Sequence, residues 1–267
     1  MVRSAWRLFV LILLGGIALQ LYFVARIALM TVLDPQSTTF QRSEIVRLAR
    51  DKHQVLWSQE WRPYSAISDH LKRAVIASED ANFVDHGGVE WDALKNAWKR
   101  NNQAQVKADK VRTQAQARYE RAVERAKARG RKPPEPPTRA LSVTPKVIGG
   151  STITQQLAKN LFLSGERNFL RKGQEFAITF MLEGLLGKER ILEIYLNNVE
   201  WGEGIFGAQA AARHYFHIDA GQLSATPAGR LAVMLPAPKR FEKNPQSAYV
   251  SGRGATIAAR LLGVELP

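Results

Sequence analysis

The chain has 267 residues, no cysteine, a 45% apolar share, and 38 lysines and arginines against 24 acidic residues, for a formal charge of +14. This length and apolar share suffice for one main domain with appendages and exclude a disordered chain, and the missing thiols exclude disulfides. The charge calls for an anionic partner, nucleic acid or an anionic membrane surface, without choosing between them.

From Leu8 to Ala25 the sequence is apolar for 18 residues apart from Gln20, close to the roughly 20 that cross a bilayer. This predicts a membrane helix over residues 8–33, with Arg26 snorkelling and Ile27 to Leu33 continuing the apolar run. Arg3 and Arg7 place residues 1–7 in the cytoplasm and residues 34–267 outside it. A cleaved signal peptide is the alternative. Against it, the run exceeds a typical signal core and Arg26 to Thr31 offers no small-x-small cleavage site. The positive charge then belongs to a domain lying on the outer face of a membrane.

Asp34 to Phe40, with Pro35 and a Ser/Thr cluster, reads as a linker. Helical spacing of apolar residues follows over Ile45 to Trp57 and Ser68 to Ser78, where Ile67, Leu71, Val75 and Ile76 form one stripe. A short helix is expected at Trp91 to Trp98, then helices at Thr152 to Leu163, Arg171 to Leu186 and Lys188 to Asn197. The domain is therefore mostly α-helical. Thr152 and Gln155 have capping-box spacing behind the Gly149-Gly150 pair, so a loop ends at a helix N-terminus. Such an end, with Lys159 one to two turns on, could receive a phosphate. An ordinary capped helix is the competing reading.

Residues 100–146 differ in composition and read as an insertion, rich in Gln and Ala, with a stiff Pro133-Pro134-Glu135-Pro136-Pro137 spacer. Thirteen basic and four acidic residues give this segment +9 of the total charge. Ala104 to Arg129 has strong helix formers but a thin apolar stripe, Val106, Val111, Ala115 and Val123, so a projecting or mobile helix is expected. Tyr119 is its one aromatic residue, which disfavours nucleic acid. A solvated face or contact with anionic lipid remains.

Glu79 and Asp80 close an apolar helix beside Phe83 and His86, where desolvation would raise a carboxyl pKa and poise it for proton transfer. Glu175 follows Arg171 by four residues and is held beside positive charge. Two carboxylates in opposite settings suit acid/base chemistry at a sugar bond. Ordinary surface pairs and caps are the alternative.

In order along the chain stand Glu79-Asp80-x-x-Phe83-x-x-His86-x-Gly88, Gly149-Gly150-Ser151-Thr152-Ile153-Thr154-Gln155-Gln156-Leu157-x-Lys159-Asn160, Arg171-Lys172-x-x-Glu175 and Ile191-Leu192-Glu193-x-Tyr195-Leu196-Asn197. This series resembles the peptidoglycan glycosyltransferases, family fifty-one of the glycosyltransferases, and within them the monofunctional members. It spans roughly Ser68 to Phe216 apart from the insertion, with weaker similarity over Leu231 to Pro238. The resemblance implies a lysozyme-like, mostly α-helical domain with a membrane-embedded jaw and one N-terminal transmembrane helix. Its activity would be polymerisation of lipid II into glycan strands, with inversion and release of undecaprenyl diphosphate.

Carried over to this chain, Glu79 is the general base for the acceptor's 4-hydroxyl. Glu175 acts with Arg171, Lys172 and Lys159 on the donor's diphosphate, often with Mg²⁺ or another divalent cation that Glu175 would help hold. Asp80, His86, Ser151, Thr152, Gln155, Gln156 and Asn160 match positions that shape or line the cleft. Bland readings stand beside these: Phe83 as core support, His86 as a structural hydrogen-bonder, Tyr195 and Asn197 as helix braces. Trp201, Gly202 and Gly204 are expected to form a turn flooring the cleft. The implied partners are lipid II, the nascent strand, membrane lipids and cell-wall synthesis or division proteins, with no nucleic acid. The implied location is the inner membrane, with the catalytic domain periplasmic.

Two departures from the family pattern stand out: the long basic insertion, and Pro227-Ala228-Gly229-Arg230, which puts C-terminal packing in question. A bifunctional relative would carry a Ser-x-x-Lys nucleophile motif, and none occurs. A lysozyme-like hydrolase would need no cationic site for an anionic leaving group. A membrane-anchored scaffold would leave the Glu79 and Glu175 motifs unused.

Overall fold

The computed structural model describes residues 2–145, 149–163 and 169–267. Lys146, counted in the basic segment, lies outside them. Contacts divide the chain into two units, residues 1–89 with 152–267, and residues 90–151.

The first unit opens with α1 (Val2–Leu29), α2 (Thr39–Lys52) and α3 (Asp69–Glu79). The second holds α4 (Trp91–Ala128) and the single-turn α5 (Thr138–Leu141). The chain then returns to the first unit for α6 (Ile153–Phe162), α7 (Phe169–Leu185) and α8 (Lys188–Asn198). A small antiparallel hairpin follows, β1 (Glu200–Gly202) with β2 (Ile205–Phe206), pairing Glu200 with Phe206 and Gly202 with Ile205. The unit closes with α9 (Ala208–Phe216), α10 (Ala225–Met234), α11 (Pro238–Phe241) and α12 (Ala248–Ala258).

Local chemistry sets several of these boundaries differently from the sequence expectation. Helix α2 begins at Thr39 because Thr38 and Gln41 form a reciprocal capping box, so the Ser/Thr cluster read as linker is in part an N-cap. It stops at His53, which turns left-handed at φ 53°, short of the expected Trp57. The separate helices expected at Trp91 to Trp98 and Ala104 to Arg129 are one helix of 38 residues. Nothing between them breaks it: residues 91–128 contain neither Gly nor Pro, and Ala, Gln, Lys and Arg favour continuation.

The core of the first unit lies under α3, where Leu71, Ala74 and Val75 are fully buried and pack against α10. Trp201 is also fully buried, and its indole N–H donates to the carbonyl of Leu231 at 3.0 Å. It is therefore a core residue tying the hairpin to α10. Helices α10 and α12 cross at glycines. A Cβ added to Gly229 would lie 2.4 Å from the carbonyl oxygen of Gly254, so the departure noted at Pro227 to Arg230 includes the residue that permits this approach.

Helix α1 is long and apolar enough to cross a membrane, and it ends at Leu29 rather than Leu33. Leu8, Phe9, Leu11 to Leu14 and Ile17 face outward, with Gly15 and Gly16 in the same exposed stretch. Phe23, Ile27 and Met30, spaced on one face, are buried against the domain. Phe23 meets Phe162 of α6 edge to face at 5.2 Å. The Gln20 and Gln174 side-chain amides exchange two hydrogen bonds of 2.9 and 3.0 Å, which satisfies the one polar residue in the apolar run. Below the helix, Arg190 donates to the carbonyl of Met30 and pairs with Asp34. The C-terminal end of α1 is thus part of the folded unit.

Candidate active site

Glu79 is the last residue of α3, at the point where the apolar stripe runs out. Burial pushes its carboxyl above the ordinary value, the neighbouring Asp80 adds to the shift, and a bond from the Gln156 amide, 2.9 Å to Oε2, opposes it. Gln156 is itself oriented from behind. The Tyr195 hydroxyl, held protonated by complete burial, donates to its Oε1 at 2.9 Å. The Gln156 nitrogen must therefore face Glu79. Tyr195, expected only to brace helices, sets the rotamer of the residue that holds the carboxylate.

Asp80 and His86, expected to shape or line the cleft, are bonded to one another and to the backbone. The Gly88 backbone N–H donates to His86 Nδ1 at 3.1 Å, so the ring proton sits on Nε2 and is given to Asp80 Oδ1 at 2.8 Å. The other Asp80 oxygen accepts the backbone N–H of Ile153 at 3.0 Å. The anion at the N-terminus of α6 is thus the chain's own Asp80, and the competing reading of an ordinary capped helix is the one observed. Thr152 and Gln155 complete the capping box, and Thr152 Oγ1 donates to the carbonyl of Gly88. Asp80, His86 and Thr152 are turned inward and bonded within the chain, while Gln155 accepts from the Thr152 N–H and leaves its buried amide nitrogen without a partner among the described residues, and together they fix the 80–88 loop to α6. His86 is the structural hydrogen-bonder that the bland reading described.

Two further residues brace the same loop and carried no sequence signal. Lys188 donates to the carbonyl of His86 and to Glu183, and its ammonium lies 4.5 Å from the centre of the Phe83 ring. Glu183 also accepts from Thr154 Oγ1 at 2.6 Å. In the sequence both look like ordinary surface charges near a helix junction. Phe83 is fully buried, as expected of core support.

The second cluster sits on α7. Glu175 is buried and accepts from Arg171 Nη1 at 3.1 Å and Lys172 Nζ at 2.5 Å, the two bonds going to different carboxylate oxygens. Lys159, three residues beyond Gln156 on α6, joins this cluster across the helix pair. Desolvation holds its amine below the ordinary value, Glu175 opposes that shift, and Arg171 and Lys172 add to it, although the residue as a whole is exposed. Three cations surround one carboxylate, which leaves a surplus of positive charge. Such a group can receive an anion. Asn160 lies next along α6 and is partly exposed. Ser151 is exposed and is the last residue of the other unit.

The donor set does not fit a resident divalent cation. Among the described residues no three acidic, His or Cys side chains converge as ligands, and both Glu175 oxygens are already engaged by cations.

One helix separates the two clusters. Gln156 and Lys159 are three residues apart on α6, roughly 4.5 Å along its axis. Glu79 is thus tied to α6 through Gln156 and the cations through Lys159, two residues about one helical turn apart.

The sequence model of the transglycosylase family matches residues 48–111 and 138–262, leaving 112–137, the middle of the basic segment, outside the match. The chain is 47% identical over 251 residues to the biosynthetic peptidoglycan transglycosylase of Burkholderia thailandensis, covering 94% of this chain and 83% of that one. It is 44% identical over 266 residues to the protein of the same name from Paraburkholderia xenovorans, covering 100% and 95%. To that of Bordetella pertussis it is 43% identical over 252 residues, covering 94% and 90%.

Proposed function

The chain belongs to the transglycosylase family, and from that membership we propose that it polymerises lipid II into the glycan strands of peptidoglycan, with Glu79 as the base and Lys159, Arg171 and Lys172 as the holders of the leaving diphosphate. The observation that carries this reading is a desolvated carboxyl held by Gln156 together with a cationic cluster that includes Lys159, three residues further along α6.

In the proposed step the Glu79 carboxylate takes the proton from the acceptor's sugar 4-hydroxyl. The oxygen attacks the donor's anomeric carbon as the bond from that carbon to the diphosphate breaks. The electron pair leaves with the undecaprenyl diphosphate, whose growing charge is met by the three cations. Displacement with inversion needs base and leaving group on opposite sides of the anomeric carbon, and this reading assigns one side to Glu79 and the other to the cations. Glu175 keeps Arg171 and Lys172 aimed and limits their repulsion. Asp80, His86, Thr152 and Gln155 are positioning residues that fix where Glu79 and α6 meet. A divalent cation enters only as a companion of the substrate's own diphosphate, since the protein's donors do not form a site for it.

A lipid-linked substrate accounts for α1. The buried face at Phe23, Ile27 and Met30 and the Gln20–Gln174 pair favour a retained single-pass anchor over a cleaved leader, because cleavage would expose that face. Arg3 and Arg7 then orient the catalytic unit to the periplasmic side of the inner membrane.

The test is incubation of the full chain in detergent with fluorescent lipid II, with products resolved by size. A glycan ladder that Glu79→Gln does not make supports the reading. Absence of polymer from folded protein, with cleavage of preformed glycan instead, refutes it in favour of a hydrolase.

A further inference from the structure

Between the last third of α4 and the segment returning from it lies a cleft of about 570 Å³. Arg118, Arg121, Arg125, Arg129, Arg131 and Lys132 line it, around the small side chains of Ala122 and Ala126 and the ring of Pro134. The first four recur every three or four residues and so share one face of the helix over roughly 16 Å.

The other two are brought there by the way α4 ends. Gly130, at φ 60°, takes the left-handed position after the helix. Its N–H bonds the carbonyl of Lys127, and the N–H of Arg131 reaches back to Ala126 at 2.9 Å, a Schellman closure that reverses the chain. The proline-rich stretch beyond it is stiff. Arg131 and Lys132 are thus held facing the helix that precedes them.

Six cations in one cleft repel one another. None of the six forms an ion pair with a described residue, in contrast to Arg112, which pairs with Asp109 on the same helix. Basic residues in a last helical turn complement the helix dipole. That accounts for Arg125 and Arg129 but not for Arg118, Arg121, Arg131 or Lys132. The arrangement is complete only with an external anion. Guanidinium forks meet phosphate oxygens in pairs, and with Tyr119 as the sole aromatic in the segment a nucleobase would find no stacking platform.

We propose that this arginine cleft is a phosphate-binding site, taking the headgroup phosphate of an anionic phospholipid or a soluble diphosphate. It lies within the residues outside the transglycosylase match and does not depend on the catalytic reading.

The experiment uses the full chain in nanodiscs and follows hydrogen exchange over residues 116–132. One arm compares discs of phosphatidylcholine with discs containing phosphatidylglycerol. The other adds inorganic pyrophosphate to phosphatidylcholine discs. Slowed exchange in the first arm identifies a lipid headgroup as the source, and in the second a soluble phosphate. The paired variant Arg121→Gln with Arg125→Gln should weaken the responding arm by about tenfold or more. Lys110→Gln with Lys127→Gln removes equal charge from the same helix outside the cleft and should change it less than about threefold. Equal losses in both pairs, or no protection in either arm, would overturn the proposal.

Discussion

Glu79→Gln separates the proposed base from everything else Glu79 does. The side chain is nearly isosteric, and its amide oxygen still accepts from the Gln156 nitrogen, now 2.9 Å from Oε2, so the α3–α6 junction survives. What disappears is proton uptake from the acceptor hydroxyl. A positioned base contributes about 10²- to 10⁴-fold, which corresponds to roughly 3–5 kcal/mol of barrier. The kcat for lipid II polymerisation should fall by that factor with little change in substrate binding. Wild-type kcat/KM should also show an acid limb displaced above the ordinary carboxyl range, because burial raises the Glu79 value. Linkage gives an independent check. The folded-state value lies above the ordinary 4.5, so between the two the folded chain binds more protons and loses stability as pH rises. Glutamine carries no such proton. The variant should therefore match wild type below pH 4.5 and gain on it at neutral pH, read as Tm against pH. A variant that keeps more than about a tenth of the wild-type rate, or that retains the acid limb, would refute the assignment.

The remaining expectations probe other parts of the unit. Lys159→Met should lower kcat/KM for lipid II by about 10- to 100-fold through loss of a charge-assisted contact, while Tm stays near wild type because Glu175 keeps Arg171 and Lys172; unchanged kinetics would remove Lys159 from the anion site. Glu200, buried beside Lys239 and Glu44, is pushed up to about 8, chiefly by burial. Stability should therefore fall by about 1.4 kcal/mol per pH unit attributable to this group as pH rises toward 8, and Glu200→Gln should flatten that slope in pH-dependent unfolding. Gly229→Ala places a methyl carbon 2.4 Å from the Gly254 carbonyl and should cost about 1–3 kcal/mol through separation of α10 and α12, measured by denaturant midpoint.

The helices that support the site were legible because they are amphipathic and capped. Thr152 and Gln155 marked the start of α6, and the Ile67–Leu71–Val75 stripe marked α3. The hairpin was not legible as strands, since elements of three and two residues leave no alternation to read. Helices α10 and α12 pack through Gly229 and Gly254 rather than through a stripe of large side chains, so the periodic signal is weak where the contact is closest. Within the site, Glu79 and the Arg171–Lys172–Glu175 group could be read from neighbours in sequence. The clamp of Asp80 on Ile153 could not, because the partners are 73 residues apart and a carboxylate after a helix looks the same whether it meets substrate or backbone.

What the fold adds to the motifs is a common ruler. Helix α6 is ten residues long, and it meets Asp80 at its first residue, Glu79 through Gln156, the cation cluster through Lys159, and the membrane helix through Phe162. Lys159 and Phe162 are three residues apart, again roughly 4.5 Å of rise. Helix α7 repeats the relation, since Gln174, bonded to Gln20 of the anchor, directly precedes Glu175. The anchor is therefore registered to the cation cluster by two short, separate connections rather than tethered at a distance. A substrate whose diphosphate joins a sugar to a long apolar tail imposes the same requirement, because its charged joint lies where the tail leaves the bilayer. On the proposed reaction, rotation or sliding of α1 would move the cations that receive the leaving group, so that α1 would take part in the catalytic geometry.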